Sequence, residues 1–114
     1  MSELKTVNLE AGRPAVPDAL ARLQMELRLT RGTRITALKL IHGFGSSGRG
    51  GKLRPAVRRF LDTQQGRGYL KFYIPGEQLS IFNEETRRAL DRCPALRSDP
   101  DLERHNNGIT VVVL

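Results

Sequence analysis

The residues best suited to chemistry stand in one short run, HGFGSSGRGGK, which extends from His42 to Lys52. Its glycines allow the backbone to approach an anion closely, and the amides at the start of a following helix add partial positive charge. Ser46 and Ser47 supply hydroxyl donors, while Arg49 and Lys52 supply full positive charges. The run therefore predicts a site for an oxyanion such as a phosphate. The alternative is a loop whose glycines only form turns.

Two familiar phosphate-binding motifs do not fit this run. Residues 43–48 satisfy the dinucleotide pattern G-x-G-x-x-G, which also requires an acidic residue at the end of the next strand. Asp62 has the expected spacing but falls inside a predicted helix. A Walker A loop would need glycine in place of Ser46 and a hydroxyl residue in place of Leu53.

Positive charge is concentrated around the same run. The 114-residue chain has a net charge of +7, and 15 of its 19 basic residues are arginine, which binds phosphate through a planar fork. Residues 49–71 contain one acidic residue, Asp62, and seven basic ones: Arg49, Lys52, Arg54, Arg58, Arg59, Arg67 and Lys71. Arg58 and Arg59 lie outside the apolar stripe of their helix, so they are expected to face water or a ligand. Such a patch attracts polyanions, most commonly nucleic acid, although a solvated helix face is the simpler alternative.

The elements that must position this run follow from apolar spacing and turn residues. The predicted order is a strand at 6–10, a helix from Pro14 to Gly32, a strand at 34–42, a helix at 52–64, a strand at 69–74, a helix at Glu84–Arg92 capped by Asn83, a loop at 97–107 and a buried strand at 109–114. Strand, helix and strand within ~35 residues form a βαβ unit with parallel strands. We therefore predict an α/β fold: a two-layer sandwich of βαβαββ type, with a four-stranded mixed sheet and an extra short helix before the last strand.

Length and composition predict a single globular domain over residues 1–114, because domains cluster at ~100–150 residues. Apolar residues make up 39% and charged residues 27%, which is typical of a globular protein rather than a disordered one. No run approaches the ~18 apolar residues of a membrane span, and no signal-peptide pattern is visible. Cys93 is the only cysteine, which excludes an intrachain disulfide and favours a reducing, cytoplasmic location.

The glycine-rich run lies within a longer segment, LIHGFGSSGRGGKLRPAVRRFL at residues 40–61, that resembles the centre of the Smr (small MutS-related) domain family. That family has a strand ending in His-Gly-x-Gly, a loop rich in serine and glycine, and a helix beginning Leu-Arg-x-x-Val. Residues 16–32, 69–74 and 107–114 look like the family's first helix, third strand and closing strand. The resemblance covers about residues 7–74 and 107–114.

The resemblance implies a module that binds DNA or RNA, and in several members of the family a nicking endonuclease. It also implies a βαβαββ fold similar to the C-terminal domain of bacterial translation initiation factor three. His42, Gly43 and Gly45 match the second motif of the family.

The first motif of the family, Leu-Asp-Leu-His-Gly, falls on residues 7–11, where Asn8 replaces the aspartate and Glu10 replaces the histidine. Phosphodiester hydrolysis needs a group that activates water and a group that stabilises the developing negative charge. Glu10 can serve only if a cation offsets its repulsion of phosphate, whereas His42 can act as an acid or base or simply bind a phosphate. Glu10 and His42 are therefore the catalytic candidates, and we expect binding to be retained more readily than cutting. No cofactor is predicted, and a divalent cation is expected only for a nuclease.

Residues 77–107 lengthen the connection before the last strand relative to that family. The segment leans acidic, so it either shields part of the basic face or offers a surface to a protein partner. Its His105 is expected to be solvated, and Cys93 to make an apolar contact at a helix end. A metal site built on His42 and His105 is not predicted.

Aromatic residues near the cations are candidates for stacking on bases. Phe44 stands at a loop tip with no evident core face, so it is expected to stack on a base or wedge into a distorted duplex. The alternative is packing under residues 77–107. Tyr69, Phe72 and Tyr73 share a predicted strand on which Phe72 faces away from the other two, so part of this set is expected in the core.

Together these features predict a module that grips the phosphates of branched or structured DNA or RNA. The predicted phosphate-binding residues are His42, Gly43, Phe44, Gly45, Ser46, Ser47, Arg49, Lys52, Arg54 and Arg58. Two alternatives stay open, namely an active nicking endonuclease of the same fold and an adaptor that binds a protein through residues 77–107. The sequence indicates no membrane partner. It does not distinguish DNA from RNA as the ligand, and it does not specify the oligomeric state.

Overall fold

The computed structural model describes residues 2–44 and 50–114, which form four strands and three α-helices. In chain order they are β1 (Glu3–Asn8), α1 (Val16–Leu29), β2 (Ile35–Ile41), α2 (Gly50–Gly66), β3 (Phe72–Pro75), α3 (Glu84–Arg92) and β4 (Ile109–Val113). Short 3-10 helices at Gly76–Gln78 and Pro94–Ser98 flank α3. The predicted α/β fold with a mixed four-stranded sheet is confirmed.

The strands are ordered β1-β2-β4-β3 in the sheet. β1 and β2 are parallel and are connected by α1, as the strand–helix–strand pattern predicts. β4 lies antiparallel between β2 and β3, which places all five of its residues in the interior. The apolar run of the last strand thus reflects burial on both faces.

One face of the sheet packs against α1 and α2. Alternate residues of β2, Leu38 and Leu40, point to this face, because successive side chains of a strand alternate between its two faces. The buried residues of the two helices that belong to the same core are Ala19, Leu23, Leu27, Leu53, Val57 and Leu61. This layer and the sheet form the predicted two-layer sandwich.

The opposite face of the sheet is covered by residues 77–107. Ala37, Val111 and Val113 point to this face, and they share a second core with α3 and its flanking turns. The residues that the segment contributes are Leu79, Ala89, Leu90, Cys93 and Leu96, all of them buried. Residues 77–107 are therefore an integral part of the core, and Cys93 makes the apolar contact at a helix end that the sequence predicts.

A buried ion cluster crosses this second face. The Nζ of Lys39, on the central strand β2, lies 3.0 and 3.1 Å from the two carboxylate oxygens of Asp99, and it also pairs with Asp101. Burial alone would lower the pKa of Lys39, but its hydrogen bonds to Asp101 and Asp99 raise that pKa above the ordinary value. The cluster attaches residues 77–107 to the centre of the sheet.

Several local signals in the sequence act as predicted. The side chain of Asn83 accepts a hydrogen bond from the backbone amide of Thr86 at 2.9 Å and caps α3, which spans the predicted residues. Gly32 has a φ of 73°, the left-handed conformation expected after the end of a helix. In the part of the chain that the structure describes, no helix has the length and apolar character of a membrane span.

Strand boundaries and one loop differ from the prediction. β1 begins at Glu3 rather than at residue 6, because its pairing with β2 starts there. β3 begins at Phe72, so that Tyr69 lies before the strand and is 42% exposed. Phe72 and Tyr73 do face opposite cores. The predicted loop at 97–107 begins inside a 3-10 helix, Pro94–Ser98.

Candidate nucleic-acid interface

The candidate site lies where β1 and β2 end and β4 begins. The backbone amides of His42 and Gly43 both donate to the carbonyl of Gly108, at 3.0 and 2.9 Å, and thereby join the end of β2 to the start of β4. Gly43 has a φ of 76°, and a Cβ at this position would overlap the carboxylate of Glu10. The left-handed backbone favours glycine at this position, and the parallel pairing of β1 with β2 brings Glu10 against it.

The imidazole of His42 is fully buried, and both ring nitrogens are hydrogen bonded. Its Nδ1 lies 2.8 Å from the carbonyl oxygen of Gly43, which can only accept, so Nδ1 carries the proton. Its Nε2 lies 2.8 Å from Oγ1 of Thr110 and therefore accepts from that hydroxyl. The same Thr110 oxygen accepts from Nε of Arg58 at 3.2 Å. His42 is therefore neutral, with one defined tautomer, at one end of a chain of hydrogen bonds that runs through Thr110 to Arg58.

Burial is the main reason that the pKa of His42 lies below its ordinary value of 6.5. The hydrogen bond to the Gly43 carbonyl acts in the opposite direction, whereas the charges of Arg58 and Arg54 lower the pKa further. His42 thus joins β2 to β4 through Thr110. A role for it as a catalytic base or a phosphate ligand, as predicted, would require these hydrogen bonds to break.

Arg58, which was expected to face water or a ligand, is paired with an acidic residue of its own chain. Its guanidinium forms a bidentate ion pair with Glu77, with Nη1–Oε2 and Nη2–Oε1 distances of 3.0 and 2.8 Å. The side chain of Arg58 is only 18% exposed, and Nη2 also contacts the carbonyl of Ile109 at 3.4 Å. The charge of Arg58 is therefore balanced by a carboxylate of its own chain.

Glu77 belongs to this site through its ion pair with Arg58, and the sequence analysis did not single it out. It directly follows Gly76, where a Cβ would overlap the carbonyl oxygen of Asn106, so the close approach of these two turns requires glycine. Burial would raise the pKa of Glu77, but the hydrogen bonds from Arg58, the backbone hydrogen bond of Glu77 and the charges of Arg58 and Arg54 together hold that pKa below the ordinary value. The feature of the sequence that could have pointed to Glu77 is an acidic residue directly after Pro75-Gly76, where β3 ends.

The predicted cations at the start of α2 differ in exposure. Lys52 is exposed, Arg54 is half-buried, and Arg59 is exposed one turn further along the helix. The charge of Arg54 helps to lower the pKa of both His42 and Glu77, which places its guanidinium at this site.

Phe44 is the exposed aromatic residue of the site. It is 52% exposed, and a Cβ on Gly108 would approach its ring to 3.1 Å, so one edge of the ring rests on the backbone where β4 begins. The predicted contacts of Gly45, Ser46, Ser47 and Arg49 lie outside the described residues.

His, Cys, Asp and Glu residues, the types that hold metal ions, occur in the described ranges, 2–44 and 50–114. No group of three or more His, Cys, Asp or Glu residues within them is arranged to hold a metal ion. His105 is exposed, as predicted, and its Nδ1 lies 3.1 Å from the backbone carbonyl oxygen of Glu77.

Comparison with protein-family models, with curated proteins and with solved structures gives no match for this chain. The resemblance to the Smr family therefore stays a hypothesis carried by residues 40–61.

Proposed function

We propose that this protein binds the phosphates of branched or structured DNA or RNA at the junction between β2 and α2. The observation that carries the proposal is the placement of Lys52 and Arg54 on the first turns of α2, at the same edge of the sheet as the exposed ring of Phe44. Ligands of open α/β sheets bind at the carboxyl ends of parallel strands, which is where this edge lies.

Each group has a distinct task in this proposal. The guanidinium of Arg54 can bind one phosphate through two parallel hydrogen bonds, and Lys52 adds a point charge nearby. The amides in the first turn of α2 add partial positive charge. Phe44 offers a ring on which an unpaired base at a branch can stack. Because the proposed contacts are to phosphates and to one unpaired base, affinity is expected to follow nucleic-acid shape more than sequence.

Glu77 limits the strength of this site. Because it neutralises Arg58, that arginine adds little to the attraction of phosphate, although it lies beside Arg54 and Thr110. We therefore assign the phosphate contacts to Lys52 and Arg54, and treat Arg58 as the residue that holds Thr110 and Glu77 in place.

A fluorescence anisotropy titration tests the proposal. Labelled four-way DNA junction, RNA hairpin and plain duplex are titrated with the protein and with its Lys52→Ala/Arg54→Ala variant. We expect the branched or structured ligands to bind more tightly than plain duplex, and the variant to bind them at least tenfold more weakly. The matched control is Arg97→Ala/Arg104→Ala, which removes the same charge from exposed positions of residues 77–107. Equal loss in both variants, or binding to none of the ligands, would overturn the proposal.

The nuclease alternative has one observation in its favour, the carboxylate of Glu10 against Gly43 at the edge of the site. The burial of His42 weighs against it, since a general base must reach the group that it deprotonates. Incubation of the same ligands with and without Mg²⁺ decides the matter, with Glu10→Gln as the control that leaves the His42 hydrogen bonds intact. We expect the ligands to stay intact, and nicking that Glu10→Gln abolishes would establish the enzyme.

The adaptor alternative draws support from two apolar side chains of residues 77–107. Phe82 is 87% exposed and Ile81 is 50% exposed, and both follow Ser80, whose hydroxyl donates to Glu103 at 2.8 Å. The amide of Ile81 donates to the same carboxylate at 2.6 Å, so this tip is firmly held. Because deletion of residues 77–107 would uncover the sheet, the appropriate test is Phe82→Ser. Loss of a defined protein partner with unchanged nucleic-acid affinity would favour the adaptor.

A further inference from the structure

A second basic surface lies at the end of the sheet opposite the junction of β2 and α2. All three α-helices end there, and β2 and β3 begin there. The hydroxyl of Thr36 donates to the carbonyl of Arg92 at 3.3 Å, and the amide of Lys71 donates to the carbonyl of Val113 at 2.8 Å. The exposed cations on the segments that meet at this end include Arg28, Arg31, Arg34, Arg67, Lys71 and Arg92. We call them, with Tyr69, the distal surface.

Helix dipoles explain only part of this charge. Arg28 and Arg92 occupy the last turns of α1 and α3, where a cation offsets the negative end of the dipole. Arg31, Arg34 and Lys71 lie outside the helices, so the helix dipoles do not account for them. Exposed carboxylates near this end include Glu3, Asp62 and Asp91, and Nε of Arg92 donates to the backbone oxygen of Leu114 at 3.0 Å. The cations outnumber these acidic groups.

A groove of about 300 Å³ opens on the distal surface. This volume is at the lower end of the range for small-molecule sites, ~300–1,000 Å³, and suits one ring system rather than a large ligand. Its lining combines apolar, hydroxyl and cationic side chains, including Leu27, Ile35, Thr36, Tyr69, Arg31 and Arg92.

Tyr69 is the aromatic wall of this groove. Its ring is 42% exposed. The sequence predicted Tyr69 on the same strand face as Tyr73, but only Tyr73 packs against the first core. The guanidinium carbon of Arg31 lies 5.1 Å from the ring centroid, a cation–π contact that orders both side chains. A partly exposed ring beside planar guanidinium groups is the arrangement on which unpaired bases stack.

We propose that the distal surface binds a single-stranded segment of nucleic acid, with one base stacked against Tyr69 in the groove and the adjacent phosphates on Arg31 and Lys71. This site shares no residue with the junction of β2 and α2, so it does not depend on the function proposed above. The seven residues of β2 separate the two surfaces by about 20 Å at ~3.3 Å per residue. A branched ligand with a single-stranded arm can therefore reach both.

The test is the affinity of a labelled single strand of about ten nucleotides, a length that one small module covers. Tyr69→Ala should weaken binding about tenfold through the loss of one stacked base, whereas Tyr69→Phe keeps the ring and should bind within twofold of the natural protein. Arg31→Ala should reduce the slope of log affinity against log salt by about 0.7. The charge-matched control Arg97→Ala should change neither quantity.

Other outcomes would overturn the proposal. Tyr69→Ala and Arg31→Ala variants that fold normally and bind the strand unchanged would show that the distal surface takes no part. If only Lys52→Ala/Arg54→Ala lost affinity for the single-stranded nucleic acid, its binding site would be the junction of β2 and α2 instead. A mononucleotide that binds as tightly as the oligonucleotide would identify a nucleotide pocket instead of a strand site. Because the two sets of variants are separate, failure at one surface leaves the other testable.

Discussion

Arg58 and Glu77 form a bidentate ion pair that joins α2 to the 3-10 helix after β3, with two N–O distances of 3.0 and 2.8 Å. The pair places a carboxylate beside the cations that the proposed function assigns to phosphate. It also keeps Arg58 in position to donate to Thr110. The site is therefore less positive than its arginine content suggests, and its affinity for nucleic acid should respond to the removal of one carboxylate.

Glu77→Gln should strengthen nucleic-acid binding. Removal of one like charge close to the phosphates is worth about 1 kcal/mol in a water-like dielectric, or about fivefold in affinity. The freed Arg58 should also increase the salt slope by about 0.9 on duplex-containing ligands. Anisotropy titrations over a range of salt concentrations measure both quantities.

The control for this prediction is Glu85→Gln, which makes the same charge change at an exposed position in the first turn of α3. It should leave affinity nearly unchanged. If Glu77→Gln binds no better than Glu85→Gln, the ligand does not approach Arg58 and the proposed site is misplaced.

Thr110→Val should destabilise the fold. The variant leaves Nε2 of the buried His42 and Nε of Arg58 without their shared partner, and an unsatisfied buried group costs about 1–3 kcal/mol. Urea denaturation measures the free energy of unfolding. Thr110→Ser keeps the hydroxyl and loses one methyl group, so it should recover most of the loss. Equal stability of the valine variant and the natural protein would contradict the hydrogen-bonded chain described here.

Stability should decrease as the solution becomes mildly acidic. The pKa of His42 is lower in the folded protein than its ordinary 6.5, so the unfolded chain binds more protons between these two values. The contribution of His42 is therefore complete above 6.5 and is lost as the pH falls through 6.5 towards the folded pKa. The lowered pKa of Glu77 adds a further loss only below its ordinary 4.5.

Urea midpoints measured against pH check this sign. The decrease below 6.5 should be absent in His42→Asn and present in the matched variant His105→Asn. Nitrogen chemical shifts of the imidazole should in addition show a neutral His42 with its proton on Nδ1. Stability that rises on acidification through this range would contradict the buried, neutral histidine.

Lys39→Met should cost about 3–5 kcal/mol of stability, because it leaves the largely buried carboxylates of Asp99 and Asp101 without their cation. The triple variant that also carries Asp99→Asn and Asp101→Asn should regain part of that loss, since no uncompensated charge remains. Thermal or urea unfolding of the two variants makes the comparison. Equal destabilisation in both would show that packing of the lysine stem, rather than its charge, holds the segment to the sheet.

The sequence is sufficient for the order of elements but not for what covers the second face of the sheet. The α1 stripe, Gly32 and the Asn83 cap each act within a few residues, and local signals of this kind can be read directly. The ion pair of Lys39 joins residues 60 positions apart, and the pair of Arg58 spans 19 positions. Such contacts depend on how the elements pack, so a cation in a strand and a cation on a helix both look solvated until the fold is known.

The glycine-rich run likewise combines features that the sequence predicts with contacts that depend on distant residues. Its position after a buried strand and before a helix is predictable, and so is the approach of Glu10, which follows from two adjacent parallel strands. The burial of His42 is not, because it depends on Thr110, a residue 68 positions away. Side chains predicted to contact a ligand can instead form hydrogen bonds or ion pairs within the protein.

The most direct test of the central claim is the salt dependence of binding to a four-way DNA junction. Dissociation constants of the natural protein, of Lys52→Ala/Arg54→Ala and of Arg97→Ala/Arg104→Ala are measured across a salt series. We predict a steep linear loss of log affinity with log salt, a slope reduced by about 0.9 for each phosphate contact removed at the junction of β2 and α2, and no change of slope in the control. Binding that is independent of salt, or a slope that the Lys52 and Arg54 substitutions leave unchanged, would contradict the account.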